Sequence, residues 1–142
     1  MKISLASDHG GLALKNTIIN YLTKKGYETV DFGTKTTDSC DYPDFARPAA
    51  LAVANSSCEK GIVVCTTGIG VSMVANKVKG VRCALCTNAD MAEMTRRHNN
   101  ANVLALGQKY LDDVTALKIV DTFLNTEFEG GRHQKRVDKI EG

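Results

Sequence analysis

Along this chain, short apolar runs of strand character alternate with longer stretches in which apolar residues recur at helical spacing. Lys2 to Ala6 reads as a first strand. Leu14, Ile18 and Leu22 then repeat at i+4 across Gly11 to Lys25, and Gly26 stops that helix. Tyr27 to Phe32 alternates as a second strand, and after a polar loop (Gly33 to Asp41) a second helical stripe follows at Phe45, Ala49 and Val53. Gly61 to Cys65 is continuously apolar, the pattern of a strand covered on both faces of a parallel sheet. A loop, Thr66-Thr67-Gly68-Ile69-Gly70, opens a helix through Ser72, Met73 and Asn76. Val81 to Thr87 predicts a fourth strand, Ala89 to about His98 a helix, and Val103 to Leu106 a fifth strand. Asp112 to Asn125 predicts a last helix with Val114, Leu117, Val120 and Leu124 on one face.

Five strands separated by helices of this length make a βαβ series, and right-handed crossovers put helices on both faces of the sheet. The expected fold is therefore α/β: a three-layer αβα, Rossmann-like, open parallel five-stranded sheet. Residues 1–126 form the single domain, and residues 127–142 a polar C-terminal arm or helix. Ligands of such sheets bind beyond the carboxyl ends of the strands. That rule selects Asp8-His9, Cys65 to Gly70, Asn88 and the segment around Gly107.

Composition narrows the functional classes. The chain has 142 residues, enough for one core, and no apolar run approaches the roughly 20 residues of a membrane helix. Eighteen Lys and Arg against 16 Asp and Glu give a net charge of +2, too little for a nucleic-acid or membrane partner. Five cysteines, an odd count without a secretory leader, argue against a disulfide framework and for a cytoplasmic protein. Cys83 and Cys86 have metal or redox spacing but fall within a strand, where their side chains point to opposite faces; no zinc or other metal site is expected.

The remaining polar residues carry candidate chemistry beside plainer readings. Asp8 ends the first strand before Gly10-Gly11, as a helix cap or as an acid facing the crevice. Cys65 is either a small core residue or a thiolate favoured by the N–H groups of the following helix start, which also suit an anion. His98 and Asn99 end a helix. They either satisfy its dipole or form a proton donor and an amide near the strand ends. Arg132 and Arg136, four apart, share a helix face and could grip a phosphate dianion.

Several segments together resemble the type B ribose-5-phosphate isomerases, a family that includes the galactose-6-phosphate isomerase subunits. They are Ala6-Ser7-Asp8-His9-Gly10-Gly11, Asp41-Tyr42-Pro43, Cys65 to Gly70, Ala75-Asn76-Lys77, Arg97-His98-Asn99 and Glu129 to His133, in order along nearly the whole chain. The resemblance implies a cofactor-free and metal-free aldose–ketose isomerase of phosphorylated sugars, active in pentose phosphate metabolism. By that similarity Cys65 is the base that moves a proton between C1 and C2. Gly68, Ile69 and Gly70, with Asn99, stabilise the oxyanion, and His98 opens the sugar ring. Asp8 and Thr67 handle hydroxyl protons, His9, Arg132 and Arg136 hold phosphate, and Tyr42 lines the sugar site. It further implies a homodimer, or a dimer of dimers, with shared sites in which the tail arginines serve the neighbouring chain. Allose 6-phosphate, galactose 6-phosphate and free aldoses stand as alternative substrates. A non-catalytic sugar-phosphate-binding module and an idle subunit needing a paralogue are the competing functions. Thr66 stands where the family commonly has Gly, so the loop is expected to hold it in an ordinary backbone region.

Overall fold

The computed structural model describes residues Met1–Gly142. Five parallel strands, β1 (Lys2–Ser7), β2 (Glu28–Asp31), β3 (Lys60–Cys65), β4 (Cys83–Leu85) and β5 (Val103–Gly107), form one sheet in the order β2-β1-β3-β5-β4. Helices α1 (Leu12–Lys24), α2 (Pro43–Ala54), α3 (Ile69–Asn76), α4 (Ala89–Asn99) and α5 (Asp113–Asn125) alternate with them, and α6 (Arg132–Glu141) follows. Leu14, Ile18 and Leu22 of α1 share one apolar layer with Ala92 of α4 and Phe123 of α5. Ala49 and Val53 of α2 and Val71 and Val74 of α3 form the layer on the other face. The predicted three-layer architecture is thus the observed one. Because the chain leaves β1 toward one face and β3 toward the other, a crevice opens between the carboxyl ends of these adjacent strands.

Two expectations are corrected. The fourth strand is three residues long, not seven, because it is an edge strand. The side chain of Asn76 completes its outer side, donating to the Cys83 carbonyl at 3.0 Å and accepting from the Cys83 N–H at 2.8 Å. The core face of α5 also differs from the predicted stripe at its start. Val120 and Leu124 are buried as predicted and Leu117 packs partly buried, but Val114 is 80% exposed, and Ala116, Ile119 and Phe123 join the core. The helix begins only after Asp112, whose carboxylate accepts from the Thr115 N–H, so Val114 falls in a solvent-facing first turn.

One buried charge helps hold the β2 edge. Lys15 is fully buried on α1, with its ammonium 2.7 Å from Asp31 Oδ1 and donating to the Thr34 carbonyl. Removing the carboxylate leaves that ammonium with one neutral acceptor. Asp31→Ala is expected to lower unfolding stability by roughly 3 kcal/mol, read from the urea midpoint at unchanged slope.

Candidate active site

The polar residues singled out by sequence separate into two groups at opposite ends of the sheet. The first occupies the crevice at the carboxyl ends of β1 and β3, an open cavity of about 430 Å³ lined by Asp8, Tyr42, Cys65, Thr66, Thr67, Ile69, Gly70 and Met73. Asp8 combines both of its readings. One carboxylate oxygen, Oδ1, caps the short 3-10 turn His9–Gly11, accepting from Gly10 N at 2.9 Å and Gly11 N at 3.1 Å. The same side chain borders the cavity, where Oδ2 is left for other work. His9, exposed on that turn, accepts the Cys40 N–H on Nδ1 at 3.2 Å. That bond requires an unprotonated Nδ1, so the imidazole can present only an Nε2–H donor.

Cys65 closes β3, 5% exposed, and its Sγ accepts the Gly68 N–H at 3.1 Å. A donor aimed at the sulfur, with the start of α3 just beyond, puts positive partial charge where a thiolate would carry its negative one. Gly68 is required for this turn. It has φ +78°, and a Cβ there would lie 2.6 Å from Leu85 and within 2.9 Å of the backbone at Leu106 and Gly107. The expectation that Gly68, Ile69 and Gly70 all offer N–H groups is narrowed. Gly68 is spent on Cys65, and Ile69 donates to Thr67 Oγ1 at 3.2 Å. Gly70, within the first turn of α3, keeps a donor that the helix cannot satisfy internally. Tyr42 lies across it, for a Cβ at Gly70 would fall 2.7 Å from the tyrosine ring. Thr66 stays out of the left-handed region, as expected, and its hydroxyl fills the space that any side chain at Gly10 would need.

Burial pushes the Cys83 thiol up and the Cys86 thiol up to about 11, and raises Cys58 as well. Three of the other four cysteines are therefore poor sources of thiolate, as their bland sequence reading had it.

His98 and Asn99 are not in this crevice, contrary to the expectation that they stand near the same strand ends. Helix α4 starts at the carboxyl edge with Asn88 as its cap and runs about 16 Å back to the amino edge, where Asn100 ends it in a left-handed conformation. There the second group gathers. His98, Asn99, Arg132, His133, Arg136, Val137 and Ile140 line an open cavity of about 650 Å³ between α4 and α6. The tail is tied to its own chain at both ends of α6. Glu129 N donates to the Arg97 carbonyl, its carboxylate meets Arg97 Nε at 2.5 Å, and Arg82 holds Glu141 at 2.6 Å. Val137 is buried beneath it.

Glu129 and His133 are the residues to which sequence reading gave no role of their own. Glu129 lies in the loop before α6 and His133 in the first turn of that helix, so the signal available was only their shared place in the Glu129 to His133 segment. Glu129 Oε1 lies 3.5 Å from His133 Nε2, Oε2 lies 3.8 Å from His98 Nε2, and the two imidazoles stack at 4.2 Å with 14° between their planes. The hydrogen bond from Arg97 holds the Glu129 carboxyl below its ordinary value. Burial first, then the neighbouring His98 and Arg132, lower His133. These three side chains offer ligand atoms within 4.8 Å of one another, close enough for a divalent ion to be considered. Near-parallel stacked rings cannot aim both in-plane lone pairs at one point, however; Arg97 already pairs with the one carboxylate, and Arg132 and Arg136 line the cavity. The cavity suits an anion better than a cation.

Residues 3–140 match a family described as Ribose/Galactose Isomerase. The fold is similar to the solved structure of Clostridium thermocellum ribose-5-phosphate isomerase B, with a TM-score of 0.98 and 55% identity over 99% of this chain and 95% of that one. Ribose-5-phosphate isomerase B from Mycoplasma genitalium, solved with bound ribulose-5-phosphate, has a TM-score of 0.95 and 49% identity, covering 99% of this chain and 93% of its own. The ribose-5-phosphate isomerase B of Escherichia coli strain K12 is 42% identical over 139 residues, 98% of this chain and 93% of the relative.

Proposed function

The chain belongs to the ribose/galactose isomerase family, and from that premise we propose that it interconverts ribose 5-phosphate and ribulose 5-phosphate. The observation that carries the mechanism is the division of the candidate groups. A thiol at the carboxyl-end crevice has an N–H aimed at it, while the cationic cavity with the tail arginines lies at the opposite edge of the same chain. One copy cannot bring these halves onto one sugar. Two copies can, with the cationic cavity of each covering the crevice of the other, so the working unit is a homodimer with shared sites.

In that assembly Arg132 and Arg136 hold the phosphate through charge-assisted donors, with a neutral Nε2–H from His9 beside them. His98 protonates the furanose ring oxygen as the bond from that oxygen to C1 breaks. The C1 hydroxyl gives up its proton to Asp8, and the open aldehyde results. Cys65, as thiolate, then removes the C2 proton. Charge developing on O1 is met by the Gly70 N–H and by Asn99 of the second copy. Return of the proton to C1, with Asp8 and Thr67 moving the hydroxyl protons from O2 to O1, leaves the ketose. Every step uses protein groups alone, and Tyr42 over Gly70 borders the sugar.

Purified chain is expected to convert ribose 5-phosphate with a higher kcat/KM than allose 6-phosphate or galactose 6-phosphate. Equal or reversed preference would assign it to the six-carbon branch, and no turnover of any of the three would leave the binding-module and idle-subunit readings. Arg136→Ala is expected to raise KM for the phosphorylated sugar roughly 10- to 100-fold, the worth of a hydrogen bond to a charged group, with a smaller effect on kcat. An unchanged preference for phosphorylated over free aldoses would remove Arg136 from the phosphate site.

A further inference from the structure

Glu129 stands at the junction of everything the amino-edge cavity needs. Its backbone N–H and its carboxylate both engage Arg97, the residue before His98, and Arg97 in turn lies 3.5 Å from Glu93 one helical turn back. The carboxylate's two oxygens face two imidazoles, His98 from α4 and His133 from α6. Those rings lie flat against each other. A side chain needed only to tie down the tail would be served by Arg97 alone. Here the same carboxylate also faces both rings, and both border the cavity with Asn99.

Resting on the isomerase reading above, we infer that Glu129 is a positioning residue for ring opening. Clamped by Arg97, its carboxylate holds the Nε2 edge of His98, while the stacked His133 ring fixes the imidazole plane, so that the opposite edge of His98 is presented to the sugar ring oxygen. The stack gives His98 a preset orientation in place of a freely turning side chain at a helix end. One carboxylate facing two rings supports one imidazolium better than two. His133 is the more buried ring, 12% exposed against 32% for His98, so His98 is the ring left open to solvent and sugar. The proton lost to the sugar oxygen is replaced from solvent, to which His98 remains partly open.

Glu129→Gln keeps the size of the side chain and removes its charge, and its position is half-exposed, so the fold is retained. The test separates ring opening from proton transfer at carbon. Ribulose 5-phosphate cannot close a furanose ring, because its C5 oxygen carries the phosphate. Exchange of its C1 hydrogen with D2O therefore needs Cys65 but no ring opening. The Gln variant is expected to lose about tenfold or more in kcat from ribose 5-phosphate, within the range a positioned acid supplies, while C1 exchange on ribulose 5-phosphate stays within about twofold of wild type. Inhibition by inorganic phosphate should be unchanged, since Arg132 and Arg136 remain. Exchange and conversion falling together would mean that Glu129 only anchors the tail, and no change in either would mean that it does nothing for His98. Both results overturn the inference. A wild-type chain that neither converts nor exchanges would instead overturn the isomerase reading beneath it.

Discussion

Cys65→Ala is expected to bind sugar phosphate with near wild-type affinity and to lose kcat by about a thousandfold or more, the contribution of a general base in proton transfer from carbon. The expectation rests on where the sulfur sits. Sγ lies at the carboxyl end of β3 in the crevice, accepts an N–H at 3.1 Å, and shares its cavity with the Asp8 carboxylate, which already caps a turn. No aspartate or glutamate other than Asp8 lines that cavity, and Asp8 is assigned to the hydroxyl protons. Phosphate affinity is assigned, by contrast, to Arg132 and Arg136 at the other edge of the fold and should survive the substitution. Two measurements check this: the rate of C1 hydrogen exchange on ribulose 5-phosphate, and calorimetric affinity for the same compound. Turnover above a few per cent of wild type would dismiss Cys65 as the base. Loss of binding together with turnover would mean that the thiol shapes the site and does no chemistry there.

Much of the fold was legible because it depends on local patterning. The alternation of apolar runs and helical stripes prescribes a doubly wound sheet, and the residues after β1 and β3 meet at its switch point by topology alone. The errors came from residues whose fate is set by neighbours. Val114 is apolar and in phase with Leu117, yet the Asp112 cap starts the helix so that Val114 faces out. The fourth strand is cut short by its place at the edge, where Asn76 replaces a further strand.

The site was legible as residue types and only half legible as geometry. Asp8, Thr67 and Cys65 lie near one another because they follow adjacent strands. His98 and Asn99 were expected near the same strand ends, but α4 follows β4 and carries them to the opposite edge, as the order of strand, helix and parallel strand requires. Glu129 was visible only as part of a motif, since its effect depends on the stacking of two histidines 35 positions apart.

That displacement of His98 is the basis of the central claim, that each working site joins the crevice of one copy to the cationic cavity of another. Co-expression of Cys65→Ala and His98→Asn chains tests it most directly, since each variant alone should be inactive. In a symmetric dimer with shared sites, a mixed pair contains one site with both lesions and one with none. Random pairing should then restore about a quarter of wild-type kcat per chain, with KM for ribose 5-phosphate unchanged. If each chain housed its own complete site, every site in the mixture would carry a lesion. Activity no higher than that of the separate variants, in dimers shown to have exchanged subunits, would contradict the account.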